Sequence, residues 1–286
     1  MTVPRVAISA EPTIKVADVT IAAVVHALYT DGISALKGAM SVEWADTLRE
    51  DIDLALAEAL ARKDGAVGRG PSRYYVEMHP EQIRGWRELV DHPWVRSVSE
   101  AVLGPDYQIV ELGFDIPGPG AMNQPWHRDF PMPEETRSTG RLTSLAFNAT
   151  AVDTARDMGP FEIAPTTQWD LPEGFEHEMF PAKSLSERYE GLAQRKFPLR
   201  GDLSVRSALT IHRGTKNESQ KSRPVLVLGV DAPGAGNAEA HDMAVTRSFY
   251  ESLPQRIRDH LVCPIVDTLT PITQKHSIEG LMMGEA

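Results

Sequence analysis

A single cysteine, Cys263, among 286 residues excludes an internal disulfide and any thiolate metal cluster, and it fits a reducing compartment. Long hydrophobic runs are missing as well. No stretch approaches the roughly 20 apolar residues of a membrane span, and the opening "MTVPRVAISAEP" has no apolar core of a secretory leader. The expectation is a cytoplasmic protein without a membrane partner. Positive charge is in deficit, 29 Lys and Arg against 40 Asp and Glu for a net −11, and no basic patch is interleaved with aromatics. Such a surface repels polyanions, which excludes nucleic acid as a partner. What remains is a small-molecule substrate and, if a metal is bound, ligands drawn from histidine and carboxylate. Nothing in the sequence sets the oligomeric state.

Hydrophobic residues make up 42% of the chain, ample for a core, and with no linker or repeat the reading is one domain over 1–286. Residues 1–105 read as mainly helical. "DVTIAAVVHALYT" has helical spacing over 18–30 and stops at Asp31-Gly32, "ISALKGA" reads as a strand, and the longest helix opens at Ser41 and ends at Gly65. "MHPEQIRGWRELV" starts a helix at Pro80, and His92-Pro93-Trp94 marks another helix boundary. From 106 to 232 the texture changes to short runs, "YQIVELGFDI", "RLTSLAFNATAV", "FEIAP", "DLSVRSALTIH" and "RPVLVLGVDA". Runs of this spacing argue an antiparallel sandwich or barrel with the N-terminal helices packed outside. The insertion 170–198, which carries His177, reads equally as a lid or a surface loop. Residues 233–286 bring a small-residue loop, "PGAGNAEAHD", and a helix at "SLPQRIRDHL".

"NQPWHRDFPM" places His127 two before Asp129. Composition alone yields about 1.3 such His-x-acid pairs, and His79-Pro80-Glu81 is a second, so the tripeptide by itself carries no weight. Residues further along the chain supply it. His212 closes an apolar strand pattern, and two imidazoles with one carboxylate on one face of a metal leave the other positions exchangeable, which suits non-haem Fe(II). Arg223, eleven residues past His212, opens "RPVLVLGV". If a hairpin joins the two, Arg223 begins the next antiparallel strand and can grip a carboxylate in the same cavity with two parallel hydrogen bonds.

The ordered set "WHRD", "DMGPFEIAPTTQW" and "GDLSVRSALTIHRGTKNESQKSR", with Asn217, Ser219 and Arg223 following His212, resembles the phytanoyl-CoA dioxygenase family of Fe(II)/2-oxoglutarate-dependent oxygenases over roughly 123–230. The resemblance implies a mainly-β fold, a double-stranded β-helix or cupin-like jelly-roll barrel. It also implies iron on His127, Asp129 and His212, and Arg223 on the distal carboxylate of 2-oxoglutarate. O2 is the other cosubstrate, and decarboxylation to succinate and CO2 accompanies oxidation, most simply hydroxylation, of a C–H bond. Three positions depart from the family pattern: Asp157 in place of Asn, Pro165-Thr166-Thr167-Gln168 in place of Pro-Gly-Ser-His, and Gly214 in place of a Ser or Thr that assists the cosubstrate. Thr210, Thr215 or Ser219 is left to supply that hydroxyl, and Gln124 and Asn148 to orient cosubstrate or substrate. Met122, Trp126, Phe130, Phe147 and Tyr74 are candidate substrate contacts, although large residues alternating on strands equally describe a core.

No basic cluster offers to hold the phosphates of a coenzyme A ester, so the expected substrate is a free small metabolite with an apolar body. An acyl-CoA hydroxylase, a desaturase or cyclase, and a non-catalytic jelly-roll ligand binder are the other readings. The presence of Asp129 argues against halogenation, and no positioned general base supports a zinc hydrolase.

Overall fold

The computed structural model describes residues 16–274; the opening "MTVPRVAISAEP" lies outside them. Helix α1 (Val16–Thr30) leads through Asp31-Gly32 into strand β1 (Ile33–Leu36). Helix α2 (Val42–Leu60) starts at Ser41, whose hydroxyl accepts the Trp44 N–H at 3.1 Å, the N-cap that the sequence signals. Strands β2 (Val67–Gly68) and β3 (Arg73–Glu77) come next, then helices α3 (Trp86–Val90) and α4 (Pro93–Leu103). His92 caps α4 by accepting the Trp94 N–H on Nδ1 at 3.2 Å. Pro80–Gln82 forms only a single 3-10 turn, so the helix expected from Pro80 begins at Trp86 instead.

The rest of the fold is built from β4 (Gln108–Pro117), α5 (Glu134–Thr139), β5 (Ser144–Thr150), β6 (Phe161–Ile163), α6 (Ser186–Leu192), β7 (Gln194–Lys196), β8 (Leu203–Ser207), β9 (His212–Gly214) and β10 (Val225–Asp231). A seven-stranded antiparallel sheet runs β1-β8-β5-β10-β4-β3-β2, and a three-stranded one runs β7-β6-β9. Residues of both sheets line one cavity of about 590 Å³. The mainly-β core with outlying helices agrees with the sequence reading, but no hydrogen-bonded ladder among the described strands closes the two sheets into a barrel.

Strand alternation sorts the large sheet into two faces. Leu226, Leu228 and Val230 of β10 with Leu145 and Phe147 of β5 enter the hydrophobic core, where they meet Leu28, Leu48, Ile52, Trp94 and Val98 of the helices. Their neighbours Val225, Val227, Gly229 and Asp231, and Ala146 and Asn148, face the cavity. One side of the sheet thus buries apolar area against helices, and the other is free to carry polar groups.

Several boundaries differ from the sequence reading, each for a local reason. "DLSVRSALTIH" is not one strand: the chain turns at Ser207–Thr210, where the Thr210 N–H bonds the Ser207 carbonyl at 3.1 Å, and passes from the large sheet to the small one. Arg223 therefore does not follow His212 through a hairpin within one sheet. β9 lies in the small sheet, and the Arg223 N–H extends the β10–β4 ladder by donating to the Pro117 carbonyl at 3.0 Å. Of the helix expected at "SLPQRIRDHL" only the short α8 (Gln255–Arg258) forms, directly after Pro254, and a separate helix α7 (Arg247–Ser252) precedes it. The two remaining strands, β11 (Val245–Thr246) and β12 (Ile265–Val266), form a small parallel pair.

Candidate metal centre and its cavity

His127 and His212 are held opposite each other by backbone pairing. The His127 N–H donates to the His212 carbonyl at 3.0 Å, the His212 N–H returns the bond at 2.8 Å, and the Asp129 N–H donates to the Ala208 carbonyl at 2.9 Å. Each imidazole is also oriented from behind. Nδ1 of His127 lies 2.9 Å from the Pro125 carbonyl and Nδ1 of His212 lies 2.9 Å from that of Thr210. A carbonyl only accepts, so both Nδ1 atoms carry the proton and both Nε2 lone pairs are left for a ligand. One ligand atom from each of His127, Asp129 and His212 lies within 4.8 Å of the others, a grouping that can hold a metal ion.

Electrostatics favour the ligating forms. Burial pushes the His127 imidazole down to about 3, with His212 adding to the effect and Asp129 opposing it, so the ring is neutral at physiological pH. Burial alone raises the Asp129 carboxyl, but Arg206, His212 and His127 together outweigh it and hold the group well below the usual carboxylate range. Arg206, a β8 residue absent from the sequence reading, places Nη2 at 3.0 and 2.9 Å from the two Asp129 oxygens. Asn148 in turn accepts from Arg206 Nη1 at 2.7 Å, so it orients the arginine. Two imidazoles and an ionised carboxylate, with no thiolate, form a donor set that fits Fe(II).

Arg223 reaches the same cavity. Its Nε donates to the Gly159 carbonyl at 2.7 Å, and Nη2 stands 3.8 Å from Asp115 Oδ2. Burial pushes its pKa down to about 10, opposed by Asp115, which leaves the guanidinium charged at neutral pH. Arg73, fully buried, donates Nη1 to the same Asp115 oxygen at 3.0 Å and Nη2 to the Thr215 carbonyl at 3.1 Å. This explains Gly214. A Cβ there would run into the Arg73 guanidinium, so the position is bare because an arginine from β3 fills the space.

The other sequence candidates divide. Gln124 and Phe130 line the cavity, with the Gln124 side-chain Oε1 accepting the Gly214 N–H at 2.7 Å. Phe147 points the opposite way, edge-on to Trp94 in the core with ring centroids 5.8 Å apart. Trp126 packs with Tyr189 and Ile211 in a separate apolar cluster, under the Arg213 guanidinium at 4.2 Å. Met122 is 45% exposed, and Tyr74 is out of phase on β3, where Tyr75 is the residue that faces the cavity. None of the three hydroxyls aims inward: Thr210 donates to the Gly32 carbonyl, Thr215 to that of Pro160, and Ser219 to Asn217 Oδ1. Gln168 has a structural task, donating its amide to the Leu28, Tyr29 and Thr30 carbonyls that end α1. His79, the control histidine, accepts the Ala244 N–H and meets the Thr270 carbonyl, each at 2.9 Å. His177 is exposed.

Phe147→Ala should destabilise the protein by about 3–5 kcal/mol, as a large core truncation does, whereas Phe130→Ala, at the cavity wall, should cost less than about 1.5 kcal/mol. Chemical denaturation of both variants checks the contrast, and equal losses would contradict the two placements.

A family model described as phytanoyl-CoA dioxygenase matches residues 28–225, more than half of the chain. The chain belongs to the phytanoyl-CoA dioxygenase family. Membership brings the cofactor class with it, Fe(II), 2-oxoglutarate and O2. Solved structures agree on the fold. EctD from S. alaskensis with 2-oxoglutarate and 5-hydroxyectoine is 16% identical, with a TM-score of 0.57 over 73% of this chain and 74% of that one. AviO1 from Streptomyces viridochromogenes Tue57 is 18% identical, with a TM-score of 0.57 over 75% of this chain and 96% of that one. The non-heme alpha ketoglutarate dependent epimerase SnoN from nogalamycin biosynthesis is 17% identical, with a TM-score of 0.54 over 76% and 89%. No curated protein matches. Among the described residues no helix is long and apolar enough to cross a membrane.

Proposed function

We propose that this member of the phytanoyl-CoA dioxygenase family hydroxylates a C–H bond of a small molecule, using iron held by His127, Asp129 and His212. The observation that carries the reading is the triad itself: two imidazoles with Nδ1 tied to carbonyls and an ionised carboxylate, all opening into a cavity that also holds Arg223. Held by His127, Asp129 and His212, iron with 2-oxoglutarate and O2 would supply the oxidising chemistry, with succinate and CO2 as the coproducts.

The chain's own residues supply position and charge. The rings of His127 and His212 are pinned from behind, which turns each Nε2 toward the site, where Arg206 Nη2 stands 3.5 Å from the His212 Nε2. Arg206 keeps the Asp129 carboxylate ionised and directed. Arg223 grips the remote carboxylate of 2-oxoglutarate, and Arg73 assists at one remove, because the Asp115 charge it shares would otherwise fall on Arg223 alone. The two sheets wall the cavity in which the three ligands lie. Anaerobic addition of Fe(II) and 2-oxoglutarate should produce the absorption band of the bidentate chelate at one equivalent. Iron binding with no such band would overturn the oxygenase reading and favour a ligand-binding module.

Residues 170–198 are proposed as a cover for the site. Phe180 stacks 6.0 Å from the His127 ring, and the Arg128 N–H donates to the Met179 carbonyl at 3.1 Å. Trypsin should cut at Lys183 or Arg188 in the metal-free protein and lose access once Fe(II), 2-oxoglutarate and substrate are bound together. Equal cleavage in both states would reduce the segment to a surface insertion.

A further inference from the structure

The cavity continues past the triad, away from Arg223, to a wall of carboxylates that neither iron nor 2-oxoglutarate uses. Asp231 closes β10 at the end remote from Arg223, is 3% exposed, and accepts the Ser144 hydroxyl on Oδ1 at 2.6 Å. Its Oδ2 is buried with no hydrogen-bond partner among the described residues. Glu111 of β4 lies beside it, accepting the Tyr75 hydroxyl on Oε1 at 2.6 Å. The carboxylate rests over Gly229, where a Cβ would stand 2.7 Å from Oε2, so this glycine is what gives Glu111 its place. A bulge assists: the register steps from Gly229↔Glu111 to Val230↔Ile109, leaving Val110 unpaired, and Val110 also lines the cavity.

The positive groups nearby do not cancel this charge. His241, from the small-residue loop after β10, has Nε2 3.9 Å from Glu111 Oε2 and Nδ1 3.6 Å from Glu77 Oε1. Burial lowers its pKa, but Glu111 and Glu77 outweigh that and raise it. Glu77 is committed to the backbone N–H groups of Asp242 and Met243, at 2.6 and 3.1 Å. Arg206 is bound to Asp129 and Asn148, and Arg69 lies over the Tyr75 ring at 4.5 Å. Among the described residues, Glu111, Glu77 and Asp231 face the His241 imidazole, and the Arg69 guanidinium over the Tyr75 ring is a second cation nearby. Burial, with Glu111 adding to it, pushes the Asp231 carboxyl up to about 6 against the hydrogen bonds of Ser144 and Asn237.

We propose that this end of the cavity binds a cationic nitrogen, an ammonium or guanidinium, and hence that the molecule oxidised is a compact amine. Its oxidation rests on the oxygenase reading, but the binding preference stands on the wall alone. Ser144 and Tyr75 hold the carboxylates in place. The substrate nitrogen takes Asp231 Oδ2 and Glu111 Oε2, while Val110, Phe130 and Ala146 contact the body it is attached to. An acyl-CoA, with its phosphates, meets repulsion at this wall.

The test compares three probes with one body and different heads: cyclohexylammonium, cyclohexanol and cyclohexanecarboxylate. Calorimetric titration is run on the protein carrying Fe(II) and 2-oxoglutarate under argon, and in parallel on the metal-free protein. Cyclohexylammonium should bind about tenfold or more tightly than either other probe. Asp231→Asn and Glu111→Gln should each weaken it by about fivefold or more and leave cyclohexanol unchanged. Equal affinities, a preference for the carboxylate, or an ammonium affinity untouched in both variants would overturn the proposal. If Asp231→Asn fails to fold, Glu111→Gln reads the same wall. Loss of the chelate band with the ammonium preference intact overturns only the oxygenase reading, and the converse overturns only this one.

Discussion

His127→Ala and His212→Ala should each abolish stoichiometric Fe(II) binding. Both rings offer one nitrogen to the site and spend the other on a backbone carbonyl, so each removal deletes a ligand that no nearby group replaces. The next donors on the wall, Gln124 and Asn148, are already bonded to Gly214 and Arg206. Metal analysis after anaerobic loading and desalting measures the effect. Iron content equal to that of the unaltered protein in either variant would remove that histidine from the ligand set. His79→Ala is the informative contrast: it should bind iron normally and be less stable, because His79 ties the Ala244 N–H and the Thr270 carbonyl to the body of the fold.

Arg223→Ala should weaken 2-oxoglutarate binding by about 1.5 to 3.5 decades. Deleting one partner of a buried charge pair costs roughly 2–5 kcal/mol, and about 1.4 kcal/mol corresponds to a decade. The geometry supports the upper half of that range. Arg223 is 5% exposed and oriented by the Gly159 carbonyl, so water screens the contact little. Titration of the chelate band with 2-oxoglutarate gives the affinity directly. An unchanged value would transfer the grip to another cation on the wall, with Arg69 the first to be tested.

By itself the sequence determined the family, the outline of the β core, and the identity of His127, Asp129, His212 and Arg223 as one ordered set, because these depend on residue order and residue type. Helices with strong periodicity and a cap, such as α2 from Ser41, were equally legible. What only the tertiary structure decided is direction. A strand's side chains alternate faces, so a one-residue phase choice sends Phe147 into the core and Asn148 into the cavity, and exchanges Tyr74 for Tyr75. Composition reports no phase when both faces are buried, as on β5, where six of seven residues are buried and the cavity-facing Asn148 is the intermediate one. The charge pairs were hidden for a different reason. Arg206 on Asp129 spans 77 residues and Arg73 on Asp115 spans 42, and no local pattern records a partner that arrives from another part of the chain. The bareness of Gly214 looked like a missing hydroxyl in the sequence, and in the fold it is the space that a buried guanidinium needs.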